Sequence, residues 1–181
     1  MSNVCMTESG WYALTVRHQH ERQTEQSLQY KGWETLVPLY LKRTHWSDRI
    51  KEVQCPLFSG YVLCRFAPGD RIRILDTPGV ARIVGFGGVP ALIEAQEIEE
   101  IRVVMASALP VRPWPYLKAG DRVRVERGPL RGVEGTLLQA KSRLRLVIGV
   151  TLLQRSLAVE VDQEMIVPVT TIPLKGMSQA V

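Results

Sequence analysis

The chain predicts an α+β protein in two parts: an antiparallel sheet flanked by helices, then a small five-stranded β-barrel. Three observations predict this. Residues 11–66 run from an aromatic strand pattern through a helical one and back to strands. Residues 109–117, LPVRPWPYL, hold three prolines, which neither continue a helix nor serve in a central strand. Residues 118–169 then alternate apolar and polar side chains at period 2, broken by glycine turns.

In chain order, residues 1–9 have no periodicity and are expected to be a flexible N-terminus. Residues 10–108 form the first domain. Its opening strand, 11–16, is aromatic and β-branched; a helix follows over 21–31, with Thr24 and Leu28 on one face and Gly32 as its stop. Residues 33–41 alternate as one returning strand. Residues 42–51 are polar and basic and predict a long hairpin loop. Either that loop is simply solvated, or it is a finger in which Lys42, Arg43, Arg49 and Lys51 reach phosphates while Trp46 stacks on a base. Residues 61–66 are a buried strand, bent into place by Pro56 and Gly60. Residues 70–75 alternate like 121–125, yet Pro68 before them and Pro78-Gly79 after them mark helix edges. Short strands are expected over 80–86 and 90–93. The clearest helix spans 95–107, with Ile98, Ile101 and Met105 on one face and Glu97, Glu99 and Glu100 in its first turns.

Residues 109–117 are the expected linker, 118–170 the second domain and 171–181 a flexible tail. In the second domain Val123 and Val125 alternate with Arg122 and Arg124. Gly128-Pro129 turns the chain, and Gly132 and Gly135 mark positions of unusual φ or no side-chain room. Leu144, Leu146, Ile148 and Val150 should face inward, 152–155 should turn, and strands over 157–161 and 165–169 complete the set.

A net charge of +5, from 23 basic and 18 acidic residues, leans mildly towards an acidic partner such as nucleic acid. Cys5, Cys55 and Cys64 form no CxxC pair, so a reduced, cytoplasmic protein is expected, with Cys55 and Cys64 as small core residues. No apolar run approaches the roughly 20 residues of a membrane span, and no signal peptide is seen. Enzyme chemistry finds no footing. His18, His20 and Glu21 lack a fourth metal ligand, no nucleophile has a readable triad, and the glycines at 85–88 precede no Gly-Lys-Ser/Thr. Neither a cofactor nor a metal is expected.

Residues 118–136, with Gly128, Pro129, Leu130, Gly132 and Gly135, resemble the KOW motif of ribosomal proteins and transcription elongation factors, carried on SH3-like barrels. The Trp11-Tyr12 strand, the helix and PLFSGYV at 56–62 look like the NGN domain of the NusG family, in which a KOW domain follows. The PGV and GFGG stretches at 78–88 add to the likeness, which covers about 11–169. Segments 46–49, 115–121 and 152–156 look like the specialised RfaH-like and UpxY-like antiterminator branch of polysaccharide operons. The resemblance implies a factor that binds the clamp helices of bacterial RNA polymerase through an apolar NGN face, here Phe58 and Tyr61. It also implies nucleic-acid contacts to upstream or non-template DNA, by Arg17, Lys42, Arg43, Trp46, Arg49 and Lys51. The implied activity is transcription elongation with less pausing and termination. Leu130 stands where housekeeping members carry Phe. That disfavours the termination factor Rho as a partner of the KOW domain and leaves a ribosomal protein as a candidate. Two other readings stay open: a KOW-bearing RNA-binding protein of the translation apparatus, and a housekeeping NusG-type factor. A β-barrel, not a helical hairpin, is expected for the resting C-terminal domain, because 143–161 serves helical spacing poorly.

Overall fold

A computed structural model describes residues 8–45, 50–115, 121–140 and 143–169. Its centre is strand β1 (Gly10–Val16), in which Trp11, Tyr12, Ala13, Leu14 and Val16 are all buried. A strand covered on both faces has no polar side, and alternation then sorts the two cores. Trp11 and Ala13 join one cluster; Tyr12, Leu14 and Val16 join the other.

Helix α1 (Glu21–Tyr30) buries Glu21, Thr24 and Leu28. Strand β2 (Glu34–Leu36) is followed by β3 (Leu39–His45), β4 (Ile50–Pro56) and β5 (Tyr61–Phe66). Residues 33–41 are therefore not one strand. Pro38 has no N–H to give a ladder, and the chain changes sheets there: β2 pairs with β5, whereas β3 pairs with β4. The expected long loop is correspondingly shorter, because 42–45 and 50–51 extend the β3–β4 ribbon.

Helix α2 (Arg71–Leu75) forms as its flanking prolines predict and buries Ile74. Strands β6 (Val80–Ile83), β7 (Gly85–Phe86), β8 (Val89–Pro90) and β9 (Leu92–Ile93) divide the two expected strands into four pieces. β6 and β9 pair with β1, while β7 and β8 form a separate ribbon. The main sheet runs β2-β5-β1-β6, with β9 also on β1. Helix α3 (Ala95–Ala106) buries Ile98, Ile101 and Val104. They share the cluster of Trp11, Ala13 and Leu63, whereas Leu28 of α1 and Ile74 of α2 share that of Tyr12, Val62 and Cys64. Arg102 on α3 reaches Glu34 on β2, and this bond chiefly holds the Glu34 carboxyl below its ordinary value.

The C-terminal half contains β10 (Val111–Pro115), β11 (Asp121–Val125), β12 (Glu134–Ala140), β13 (Arg143–Val150), β14 (Arg155–Val161) and β15 (Ile166–Pro168). The order is β10-β14-β13-β12-β11-β15, all antiparallel. Five of these strands are the expected set, and among the described residues no helical hairpin replaces them. The sixth, β10, occupies the expected linker. Its prolines sit on the outer strand of the sheet, the position where a missing N–H costs least. A 3-10 turn over Thr151–Leu153, closed by Gln154 at φ 50°, is the turn expected before β14. The expected flexible ends fall, apart from residues 8 and 9, outside the described residues.

Candidate polymerase and nucleic-acid interface

The turn between β4 and β5 is pinned at every residue but one. The Leu57 N–H donates to the Pro38 carbonyl at 2.8 Å, and the Tyr61 N–H to the Phe58 carbonyl at 3.1 Å. Gly60 accepts from the Val16 N–H at 2.9 Å and donates its own N–H to Oε1 of Glu21 at 2.8 Å. Glu21, the first residue of α1, is only 3% exposed, so a buried carboxylate fixes this turn. That employment answers its sequence-level reading as a metal ligand beside His18 and His20. Among the described residues no group of three His, Cys, Asp or Glu side chains could hold a metal ion.

Phe58 lies inside the domain, 1% exposed, while Tyr61 is half-buried against the same cluster. The pair therefore does not form an exposed aromatic patch: Phe58 packs as core, and Tyr61 alone keeps a surface. The exposed apolar side chains lie elsewhere. Phe86, Val89 and Leu92 are 76%, 69% and 63% exposed. Phe86 and Val89 belong to the separate two-residue β7–β8 ribbon, whose turn is the Gly87-Gly88 of the GFGG stretch.

The β3–β4 ribbon stands off the main sheet as its own two-stranded unit. Lys42 and Arg43 are exposed on β3, opposite Val53 and Glu52. Arg43 Nε meets Glu52 Oε1 at 2.9 Å, so part of its charge is already answered. Leu41 is also exposed, at 61%. Lower down the ribbon, Arg22 of α1 donates to Oε1 of Gln54 at 3.1 Å. Trp46 and Arg49 lie outside the described residues, as does the side chain of Lys51. Arg17 is exposed just past the end of β1, on a different sheet from the ribbon.

The turn from β11 to β12 is built on its glycines. Gly132 has φ 89° and bonds its N–H back to the Val125 carbonyl at 2.8 Å, a conformation that side chains resist. Gly135 lies so close to β13 that a Cβ would sit 2.6 Å from the Val147 carbonyl oxygen. Gly128 also has positive φ, while Pro129 is exposed. Leu130 is turned inward, 2% exposed, and joins Val123, Val125 and Val133 in the core. Arg122 and Arg124 both face Glu134, the former at 3.6 Å. Cys64 is buried, which pushes its thiol up to about 12 and leaves it inert as a nucleophile.

A first domain with helices on both faces of its sheet and a β-ribbon of its own precedes a strand-rich second domain with a glycine-built turn. A family model described as transcription termination factor nusG matches residues 9–102. The chain belongs to the NusG family. It is 27% identical over 180 residues to the transcription termination/antitermination protein NusG of Lactococcus lactis, covering 91% of this chain and 96% of that one. The protein of the same name from Vibrio parahaemolyticus is 35% identical over 136 residues, covering 71% and 74%. Among solved structures, one titled "Domain interaction in Thermotoga maritima NusG" has the same fold, with TM-score 0.52 and 18% identity. It covers 90% of this chain and 98% of that one. The named relatives are transcription factors. Among the described residues no helix is long and apolar enough to cross a membrane.

Proposed function

We propose that this chain is an elongation and antitermination factor that grips the clamp helices of bacterial RNA polymerase and reaches upstream or non-template DNA with its β3–β4 ribbon. It catalyses nothing. Tyr61 and the turn carrying Phe58 belong to the polymerase-binding face, and Lys42, Arg43, Trp46, Arg49, Lys51 and Arg17 to the nucleic-acid side. The observation that carries the reading is the ribbon itself. It projects basic side chains from a sheet of its own, and its lower part is tied to α1, which also fixes the Phe58 turn. Bridging polymerase and DNA from one rigid domain would disfavour clamp opening, and a binder shifts that equilibrium only by its differential affinity for the closed state. About 1.4 kcal/mol of difference changes the population ratio tenfold.

The inward Leu130 presents no large apolar side chain at the KOW turn, which supports antitermination over Rho recruitment and leaves a ribosomal protein as a candidate second partner of that domain. Service to a specialised long operon of the polysaccharide type rests on the segments at 46–49, 115–121 and 152–156.

Two measurements test this. Adding the protein to polymerase elongating over pause sites, on a template with the native promoter-proximal sequence, should shorten pauses and raise full-length yield. Unchanged pauses would end the reading. Neutralising Lys42, Arg43, Arg49 and Lys51 should flatten the salt dependence of complex formation, by at most about 0.9 in slope for each phosphate no longer neutralised. Arg43 should contribute least, because Glu52 already pairs with it. An unchanged slope would return the ribbon to a solvated hairpin.

A further inference from the structure

Helix α3 faces two ways. Ile98, Ile101 and Val104 bury into the first domain, while Glu97 and Glu100, three residues apart on one face, meet the C-terminal domain. Oε1 of Glu97 accepts the N–H of Thr151, just past β13, at 3.0 Å. The Glu100 carboxylate accepts the backbone N–H of Glu134, the first residue of β12. Gln96 donates to Glu100 from its own helix at 3.1 Å. Beside these bonds lies a cleft of about 1060 Å³, walled on one side by Phe86, Leu92 and the acids of α3, and on the other by β12 and β13.

Glu100 is poorly placed for a charge. The Glu134 carboxylate on β12 faces it, and the compensating cation is Arg122 on β11, which is shared with Glu134 at 3.6 Å. On α3 itself Glu97 is the neighbouring acid. The cleft residues of β13 are Val147, Ile148 and Gly149, which carry no charge.

We propose that Glu97 and Glu100 clasp α3 to the C-terminal domain, and that Glu100 makes the clasp pH-responsive, tightening it as pH falls and loosening it as pH rises. Burial is the main cause that pushes the Glu100 carboxyl above its ordinary value, and the Glu134 charge adds to it. The bonds from Gln96 and the Glu134 N–H, together with Arg122, work the other way. Parting the domains returns water to the carboxyl and lowers its pKa towards the ordinary value. The docked form is thus the better proton binder. Its extra stability is fully present below the ordinary carboxylate value and is lost as pH rises through the raised docked value. One linked proton limits the effect to about tenfold in the docked-to-undocked ratio per pH unit. This inference does not depend on the polymerase reading.

The test is a pH titration of the full-length chain by NMR, following the tumbling time of each domain and the amide shifts of Thr151 and Glu134. The wild type should tumble as one body on the acid side. Its docked fraction should fall as pH rises through the raised Glu100 value, with both amides moving at one midpoint. Glu100→Gln, which mimics the protonated side chain, should stay docked throughout. Glu97→Ala should weaken docking at every pH and so move the undocking midpoint to lower pH. Circular dichroism checks that each variant is folded, and the wild-type profile remains decisive if the Gln variant is not. A pH-independent wild type, a folded Glu100→Gln chain with the wild-type profile, or domains that tumble separately at every pH would each overturn the clasp.

Discussion

Tyr61 and Phe58 lie three residues apart, yet truncating them should have different consequences. Phe58 is 1% exposed within the first-domain core, and removing a buried Phe ring costs about 3–5 kcal/mol. For a chain of this size each kcal/mol lowers Tm by roughly 2–4 °C, so Phe58→Ala should melt roughly 6–20 °C below wild type. Against a total stability of about 5–15 kcal/mol, that leaves a folded but weakened domain. Tyr61 is half-buried, and losing half of a large side chain's burial costs about 1 kcal/mol. Tyr61→Ala is therefore the cleaner probe of the binding face. If Tyr61 anchors polymerase, its loss should cost about 2 kcal/mol of binding or more, roughly a 30-fold rise in Kd. Titrating labelled polymerase well below either melting point, with melts run alongside, separates binding from stability. A Tyr61→Ala chain that binds polymerase as tightly as wild type would refute the assignment. A Phe58→Ala chain that melts with wild type would refute the core reading of Phe58.

Two further outcomes are expected from α1. Thr24 is 1% exposed and its Oγ1 finds no hydrogen-bond partner among the described residues, so Thr24→Val, which removes the stranded hydroxyl, should stabilise the chain by about 1 kcal/mol in denaturant titration; a loss of that size would mean the hydroxyl is satisfied. Burial pushes the Glu25 carboxyl above its ordinary value, with the Val37 N–H and Arg22 opposing. Its stabilising contribution is present below the ordinary value and is lost as pH rises through the raised one. Glu25→Gln should therefore match wild type in acid and exceed its Tm at neutral pH, and a Gln variant that is less stable at neutral pH would contradict this.

How far the sequence could be read depended on whether a signal was local. The period-2 runs at 121–125, 143–150 and 157–161, and the proline-edged helix at 71–75, depend on neighbours in sequence, and the structure agrees with them. The misreadings share a cause in tertiary pairing. Pro38 divides one apparent strand between two sheets. The proline-rich stretch at 111–115 finds an edge on β14 that no local pattern announces. The family resemblance assigns Phe58 to an apolar surface, with core packing as the alternative, and only the folded turn shows it 1% exposed within the core. The acids of α3 looked like dipole partners. Glu97 and Glu100 instead use their carboxylates on backbone donors 54 and 34 residues away in sequence.

The thin apolar face of α1 raises a question of what holds so polar a helix. Leu28 and Thr24 are its main buried contacts besides Glu21, too little by themselves to fix a helix of 10 residues. Its polar side chains supply the rest. Glu21 binds the Gly60 N–H, Arg22 binds Gln54, Glu25 binds the Val37 N–H at 3.1 Å, Gln29 binds Thr35 at 2.9 Å, and Lys31, just past the helix, binds Thr77 at 2.9 Å. Those partners lie at the Phe58 turn, on the β-ribbon, at the β2-to-β3 crossing, on β2 and after α2. Each bond alone contributes modestly, about 1 kcal/mol, and more where a charge is buried. Together they make α1 the element against which the proposed polymerase face and the proposed DNA finger are both set. The geometry between those two surfaces, which a clamp-to-DNA bridge requires, is therefore set by the Glu21 carboxylate and the Arg22 guanidinium on one short helix rather than by an apolar stripe.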